Sequence, residues 1–275
     1  MDWLRAATQL RERGEAGVMI TVLTVRGHAP RDAGAKMIVS VERSWGSIGG
    51  GNLEEAAITR ARTMITDGSV DVITQTVKLN PHQRTEFGRQ CCGGEVTIAF
   101  EPLPARPTIA IFGVGHVGFE IARIVSRWDV RLVLVDSRAA ELEPLRLVEI
   151  ADGDADLIVQ QALVGETLME RLPAGSHVLI MTHDHAEDFA LCDAALRQPA
   201  GKLASVGLIG SSAKWSRFRS NLAAEGHDQD LIATISCPIG LPGLVGKEPA
   251  VIAVSVAAAL MQSLQTVTTR QAVAR

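Results

Sequence analysis

The chain has 275 residues, enough for one large or two medium domains, and its 47% hydrophobic and 21% charged content is that of an ordinary globular protein. A net charge of −4, few aromatic residues and no tyrosine give no basic or base-stacking surface, so we expect no nucleic-acid partner. The N-terminal residues 1–15 are charged throughout and do not read as a signal peptide. Residues 249–264 are apolar but short for a membrane span, and we expect them to form a buried helix.

Residues 1–101 predict a small α/β domain. The apolar spacing favours a helix over 3–13, and β-branched or alternating stretches favour strands at 18–25, 37–41, 70–79 and 95–102. A triple-glycine turn at 49–51 opens a helix, for which Asn52 is the predicted cap and Glu55 completes a capping box.

Residues 102–107, with the sequence PLPARP, predict a stiff linker because proline fixes the backbone and removes donors. From residue 108 the pattern becomes strand–helix alternation, which predicts a parallel sheet covered on both faces. The predicted strands lie at 108–113, 131–136, 148–151, 176–182, 202–210 and 231–236. We therefore predict a smaller N-terminal domain over 1–101 and a Rossmann-like, doubly wound C-terminal domain over 108–275.

The sequence GVGHVG, residues 113–118, follows a predicted strand and opens a predicted helix. In such a turn Gly113 permits the tight bend, Gly115 lets an anionic group approach the backbone, and Gly118 lets the helix pack against the sheet. Free N–H groups at the helix start favour phosphate. Asp136 ends the following strand, where a ribose hydroxyl would bind in an NAD(P) site.

Two further strand–turn–helix junctions contain candidate anion donors. In GLIGSSAKWSRF, residues 207–218, Gly210, Ser211 and Lys214 either add donors to the same pocket or serve as turn and helix cap. In GSIGGGNLEE, residues 46–55, the glycines either hold a phosphate or only make a tight turn. Arg31, on a nearby loop, is a candidate second anion contact, and the alternative is a solvated arginine.

The sequence THDHAEDF, residues 182–189, follows a predicted strand, so its first residues lie at the carboxyl end of a parallel sheet, where ligands bind. His183 and Asp184 are therefore candidate ligand contacts. His185 and Asp188 are interpreted as caps of the next helix.

Four cysteines, at 91, 92, 192 and 237, do not form a disulfide framework, because adjacent cysteines rarely bridge and the others are scattered. This predicts a reducing cytoplasmic environment. Cys91 and Cys92 lie on a glycine-flanked loop. They are interpreted either as soft ligands or sulfur carriers, or as small structural residues beside a turn. Cys192 and Cys237 are interpreted as structural, and no CxxC pair supports a zinc site.

Seven stretches of the sequence, in order, are together similar to the XdhC/CoxI family of accessory proteins for molybdenum hydroxylases. They are GHAPRDAGAKM, GSIGGGNLEEA, GRQCCGGEV, IFGVGHVG, THDHAEDFAL, VGLIGSSAKWSRF and CPIGLPGL followed by EPAVIAVSVAA. The similarity runs from about residue 18 to 264, and the CCGG and THDH stretches resemble the XdhC branch, which serves xanthine dehydrogenase.

The resemblance implies a molybdenum cofactor chaperone; the molybdopterin form is the expected cargo, and a dinucleotide form of the cofactor stays open as the alternative. Such a protein shelters the cofactor, supports exchange of an oxo for a sulfido ligand with a cysteine desulfurase, and delivers the cofactor to apo xanthine dehydrogenase. It implies a homodimer, and it gives Cys91 and Cys92 a role as molybdenum or sulfur contacts.

Two other functions remain open from the sequence. The glycine loop with Asp136 also fits an NAD(P)-dependent oxidoreductase, although a Ser–Tyr–Lys set is impossible without tyrosine and Arg138 complicates the choice between NAD and NADP. A regulatory nucleotide sensor without catalysis is the third hypothesis.

Overall fold

The computed structural model describes residues 2–79, 84–85, 88–89, 94–244 and 246–273. The chain forms two compact units. One comprises Met1–Arg106 with Thr266–Arg275, and the other comprises Pro107–Gln265.

Among the described residues before Pro107, the N-terminal unit contains a five-stranded antiparallel sheet, a short two-stranded one and two helices. Its elements are α1 (Trp3–Arg13), β1 (Gly17–Arg26), β2 (Lys36–Val39), β3 (Ser44–Gly46), α2 (Gly51–Thr66), β4 (Ile73–Lys78), β5 (Arg84–Thr85), β6 (Gly88–Arg89) and β7 (Glu95–Leu103). Five strands form one sheet in the order β3-β2-β1-β7-β4, and β5 pairs with β6. The last strand includes residues 102 and 103, so the irregular connection to the next unit covers 104–107.

Alternation along β1 builds the core of this unit. Val18, Ile20 and Val22 are buried and pack in one cluster with Leu53 and Met64 of α2. A second cluster joins Ala6 and Leu10 of α1 to Ile38 of β2.

The Pro107–Gln265 unit contains a six-stranded parallel sheet in the order β10-β9-β8-β11-β12-β13. Its strands are β8 (Thr108–Phe112), β9 (Arg131–Asp136), β10 (Asp156–Gln161), β11 (Ser176–Ile180), β12 (Leu203–Leu208) and β13 (Ile235–Ser236). Its helices are α3 (His116–Val125), α4 (Val148–Ala151), α5 (Glu166–Met169), α6 (His185–Leu196), α7 (Ser212–Ala224), α8 (Gln229–Ile232) and the part of α9 (Pro249–Val273) up to Gln265, with a 3-10 turn at Ala139–Leu142.

Both faces of this sheet are covered. In β8, Ile109 and Ile111 pack in a cluster with residues of α3, α4 and α9. The alternate residues, Ala110 and Phe112, pack in another cluster with residues of α5, α6, α7 and α8. The near-continuous apolar strands thus bury two faces, as parallel strands between helix layers do, and the predicted Rossmann-like doubly wound fold is confirmed.

The sheet has its topological switch point between β8 and β11. The chain runs outward from β8 to β9 and β10 on one side, and then returns to β11 on the other. Ligands of such sheets bind in the crevice outside the carboxyl ends of these two strands.

The structure differs from the sequence-based expectations at four places. Residues 148–151 are the helix α4 rather than a strand, because Leu147 and Ile150, three residues apart, are both buried. The strand β10 was missed, and most of the strand predicted over 231–236 is helix and turn, with only β13 paired. The helix α2 begins one residue before Asn52, with Gly50 as its N-cap.

In the part of the chain that the structure describes, no helix has both the length and the apolar character needed to cross a membrane.

Candidate functional site

The glycine loop after β8 needs two of its three glycines for backbone packing. Gly113 has a φ of +99°, and a Cβ there would overlap the carbonyl of Met181. A Cβ at Gly118 would overlap the carbonyl oxygen of Gly113. The tight turn and the close approach of α3 to the sheet therefore depend on both residues.

Gly115 has a different reason to lack a side chain. It is the N-cap of α3 with an ordinary φ of −65°, and no side chain caps this helix end. The nearest atom to a Cβ built there is Nη2 of Arg138, at 3.7 Å. Gly115 thus leaves room between Arg138 and the first N–H groups of α3, whose partial positive charge suits a phosphate.

Asp136, at the end of β9, is the buried acceptor of this loop. Its Oδ2 accepts from Val114 N at 2.7 Å and from Arg138 Nη2 at 2.9 Å. Its Oδ1 accepts from the backbone N and the Nε of Arg138, at 3.0 and 2.9 Å. Burial alone would raise the pKa of Asp136, but the hydrogen bonds from Arg138 and Val114 outweigh it and lower the pKa below its ordinary value.

Two arginines border the loop. Arg138 Nη1 lies 3.1 Å from Glu141 Oε1, on the side away from Asp136. Arg146 donates to the carbonyl of Val114 at 2.8 Å, and its guanidinium stacks over Phe119 with 4.6 Å to the ring centroid. Arg146 was not predicted from the sequence, because it reaches the loop from 32 residues further along the chain.

His183 follows the carboxyl end of β11, and Glu187 lies in the first turn of α6. His183 is half-exposed, with Nδ1 3.8 Å from Glu187 Oε2. The hydroxyl of Ser137 donates to the same carboxylate at 3.4 Å, which connects the ends of β9 and β11. Burial raises the pKa of Glu187, and the negative charge of Asp136 adds to this effect. The structure thus brings His183 and Asp136 to the same crevice through Glu187.

Asp184, the other predicted contact in this stretch, caps α6 by accepting from Ala186 N at 2.7 Å. Asp188 is fully buried and accepts from the backbone N and the hydroxyl of Thr182. Its second oxygen accepts from Lys214 Nζ. The capping side chain of α6 is therefore Asp184, and Asp188 is the acceptor in a buried ion pair.

Lys214 and Ser211 form local contacts at the start of α7. Ser211 Oγ accepts from Lys214 N at 3.2 Å and caps the helix. Besides its bond to Asp188, Lys214 Nζ donates to the carbonyl of Ile209 at 3.0 Å, and its side chain is only 10% exposed. A Cβ at Gly210 would crowd Lys214 and Cys237. The ammonium of Lys214 therefore connects the β11–α6 and β12–α7 junctions.

Cys192 and Cys237 are held as neutral thiols in this region. Burial raises the pKa of Cys192 to about 12 and that of Cys237 to about 11. Cys192 belongs to the core cluster, and Cys237 packs against it. Both fit the predicted structural role, because the nucleophilic and metal-binding form of cysteine is the thiolate.

In the N-terminal unit, a carboxylate fills the triple-glycine turn. Glu54 Oε2 accepts from Ser47 Oγ at 2.6 Å, from Gly50 N at 3.0 Å and from Ile48 N at 3.2 Å. These N–H groups are the ones that a phosphate would need, so the contacts favour the tight-turn interpretation. Glu54 itself was not singled out from the sequence.

The loop that carries Arg31 packs against the triple-glycine turn and lies near Gly94. The ring of Pro30 adjoins Gly49, so the exposed Arg31 lies on a loop that packs against the triple-glycine turn. A Cβ at Gly94 would overlap the carbonyls of Arg26 and His28. Cys91 and Cys92 lie outside the described residues, and their predicted role stays a prediction. Among the residues that are described, no group of three histidine, cysteine or carboxylate side chains is arranged to hold a metal ion.

A search of curated proteins finds the uncharacterized protein YqeB of Escherichia coli (strain K12), which is 24% identical over 263 residues. The match covers 95% of this chain and 46% of that protein, so the chain spans about half the length of this relative.

Among solved structures, the chain is similar to a crystal structure described as a xanthine dehydrogenase from Bacillus halodurans, with a TM-score of 0.49 and 18% identity, covering 97% of this chain and 96% of that chain. It is also similar to TcdA (CsdL), with a TM-score of 0.42 and 13% identity, covering 59% of this chain and 88% of that chain.

Two family models match the sequence. The model of the XdhC Rossmann domain matches residues 109–260, and that of the XdhC and CoxI family matches residues 10–76. The first match alone covers more than half of the 275 residues and includes the glycine loop, His183 and Lys214. The chain belongs to the XdhC family.

Proposed function

We propose that this protein is an accessory protein of xanthine dehydrogenase maturation. It binds molybdenum cofactor, shelters it, supports its sulfuration with a cysteine desulfurase and delivers it to the apoenzyme. The observation that carries the proposal is the start of α3 at Gly115, which no side chain caps and which lies beside the guanidinium of Arg138, in a chain of the XdhC family.

This site fits the phosphate end of the cargo. The pterin of the cofactor carries a terminal phosphate, and the first N–H groups of α3 provide neutral donors aligned with the helix dipole. Arg138 has five N–H groups. Two donate to Asp136, and one faces Glu141 across the ion pair described above. After these contacts of the described residues, one N–H on Nη1 and one on Nη2 of Arg138 are left over. A phosphate oxygen can accept from each of them.

For the metal end we propose Cys91 and Cys92 as sulfur or molybdenum contacts, since thiolates are soft ligands. The terminal glycine of their motif, Gly94, packs against Arg26 and His28. His183 and Arg31 are proposed as further polar contacts. We propose that the carrier works as a cytoplasmic homodimer, and that its affinity is moderate because delivery requires release.

The test measures cargo binding directly. Purified protein is mixed with the molybdopterin form of the cofactor, and retained molybdenum is measured after ultrafiltration. We expect roughly stoichiometric binding with a Kd in the micromolar range. The variants Cys91→Ser and Cys92→Ser should retain less metal or activate apo xanthine dehydrogenase less, whereas Cys192→Ala, which changes a core thiol, serves as the control.

The glycine loop and the doubly wound sheet also favour a second function, an NAD(P)-dependent oxidoreductase. An assay of NADH or NADPH oxidation with candidate substrates separates the two. Turnover without retention of molybdenum would replace the chaperone proposal, and retention in the wild type that both cysteine variants leave intact would remove these thiols from it.

A further inference from the structure

We infer that Arg138 determines the ligand specificity of the glycine loop. It withholds Asp136 from the free diol of a ribose and favours a ligand that carries a phosphomonoester at this position. The inference rests on the proposed function only in taking the loop at Gly113–Gly118 as a binding site. It does not depend on molybdenum cofactor as the cargo.

The acceptor capacity of Asp136 is already used. A carboxylate has about four lone-pair positions. The backbone and side chain of Arg138 occupy three of them, and Val114 N occupies the fourth, with two hydrogen bonds on each oxygen. A ribose diol has to donate to such a carboxylate, as the acidic residue of an NAD site requires. Here it would have to displace the guanidinium first.

That displacement is unfavourable. Asp136 is only 3% exposed, and the paired bonds to Nε and Nη2 are the bidentate geometry in which arginine binds carboxylates most strongly. Removing Arg138 would leave a buried carboxylate without its cation. The ion pair between Arg138 and Glu141 holds the guanidinium from its other side.

Arg138 is also positioned to contact the ligand itself. Its Nη2 lies 3.7 Å from a Cβ built on Gly115, where a phosphate-bearing ligand approaches the loop. About a third of the side chain is exposed. A dianionic phosphomonoester can accept charge-assisted hydrogen bonds from the outer N–H groups while the pair with Asp136 stays intact.

NADPH and NADH test this inference, because they differ only in the 2′-phosphate. Both are titrated into the full-length protein and followed by their fluorescence. In the wild type we expect saturable NADPH binding and at least about tenfold weaker NADH binding. In Arg138→Gln the carboxylate of Asp136 becomes available, so NADPH binding should weaken, NADH binding should strengthen and the preference should disappear.

The control is Arg123→Gln, which also removes a positive charge, here from α3. Arg123 pairs with Glu120 and Glu149 and not with Asp136. It should keep the wild-type preference. The wild-type comparison decides the matter even if Arg138→Gln unfolds. Absence of saturable NADPH binding, equal or tighter NADH binding in the wild type, or an unchanged preference in a folded Arg138→Gln protein would each overturn the inference. Loss of molybdenum binding alone, with the dinucleotide preference retained, would count only against the chaperone.

Discussion

His177 is a buried titratable residue away from the loop. It lies in β11, is 2% exposed, and its Nδ1 is 2.8 Å from Ser205 Oγ. Burial lowers the pKa of His177, so the folded state favours the neutral ring. Its contribution to stability is therefore fully present above the unfolded pKa of about 6.5 and is lost as the pH falls through the lower folded value.

We predict that His177→Asn makes the free energy of unfolding less dependent on pH below about 6.5. Urea unfolding of both proteins, at several pH values between about 7.5 and about 5, measures this pH dependence. Free histidine titrates in roughly this range. Other acid-sensitive groups, including Asp136, are common to both proteins, so only the difference between the curves reports on His177. Parallel curves would contradict the assignment.

The ion pair of Lys214 and Asp188 makes a second prediction. Lys214→Met leaves the fully buried carboxylate of Asp188 without a cation, and we expect a loss of about 3–5 kcal/mol in the free energy of unfolding. Adding Asp188→Leu should recover part of that loss, because the buried charge is then removed as well. Urea unfolding of the single and double variants completes the cycle. A loss below about 1 kcal/mol in the single variant, as for an exposed pair, would contradict this prediction.

The junction between β8 and α3 depends on glycine in two ways. Gly118→Ala places a methyl group against the backbone of Gly113, which cannot move away without shifting the helix, so we expect a loss of about 1–3 kcal/mol in stability. Gly115→Ala has an allowed φ, and its Cβ would lie in ordinary van der Waals contact, 3.7 Å from Arg138 Nη2, so its stability should stay within about 0.5 kcal/mol of the wild type.

Ligand binding, in contrast to stability, should be affected by Gly115→Ala. The methyl group of Gly115→Ala occupies the approach of the ligand, so binding of NADPH or molybdopterin should weaken although the fold is intact. Thermal unfolding and fluorescence titration on both proteins check this. A Gly115→Ala protein that binds as well as the wild type would place the ligand elsewhere.

This junction was predictable because its signals are local: an apolar strand, spaced glycines and an acidic strand end. The segment 148–151 was not, since four residues show no period and the burial of Ile150 depends on α3 and its neighbours. The strand β10 was missed because it is a partly exposed edge strand without a continuous apolar run. Within the site, the positions of the glycines and His183 followed from the sequence. Arg146 and Glu54 did not, because their contacts are set by tertiary structure.

The Pro107–Gln265 unit contains the apolar core and the sheet pairing that a domain needs to fold by itself. Two separate apolar clusters cover the two faces of its sheet, and the sheet's hydrogen bonds are made within it. We predict that a fragment spanning 107–275 folds cooperatively and keeps the nucleotide preference of the full chain. Circular dichroism during urea unfolding and the NADPH titration measure the two properties. An aggregated or non-cooperative fragment would show that residues 1–106 are required for its stability.

Glu54 has a consequence for how the N-terminal unit responds to its surroundings. Its carboxylate is an intramolecular competitor for any external anion, bound to the N–H groups of Ile48 and Gly50. A group tethered this closely acts at an effective concentration of about millimolar or more. A free phosphate at micromolar concentration therefore cannot displace it at equal intrinsic affinity. At such concentrations the turn is occupied by its own carboxylate, whereas no side chain caps the start of α3 at Gly115 in the second unit.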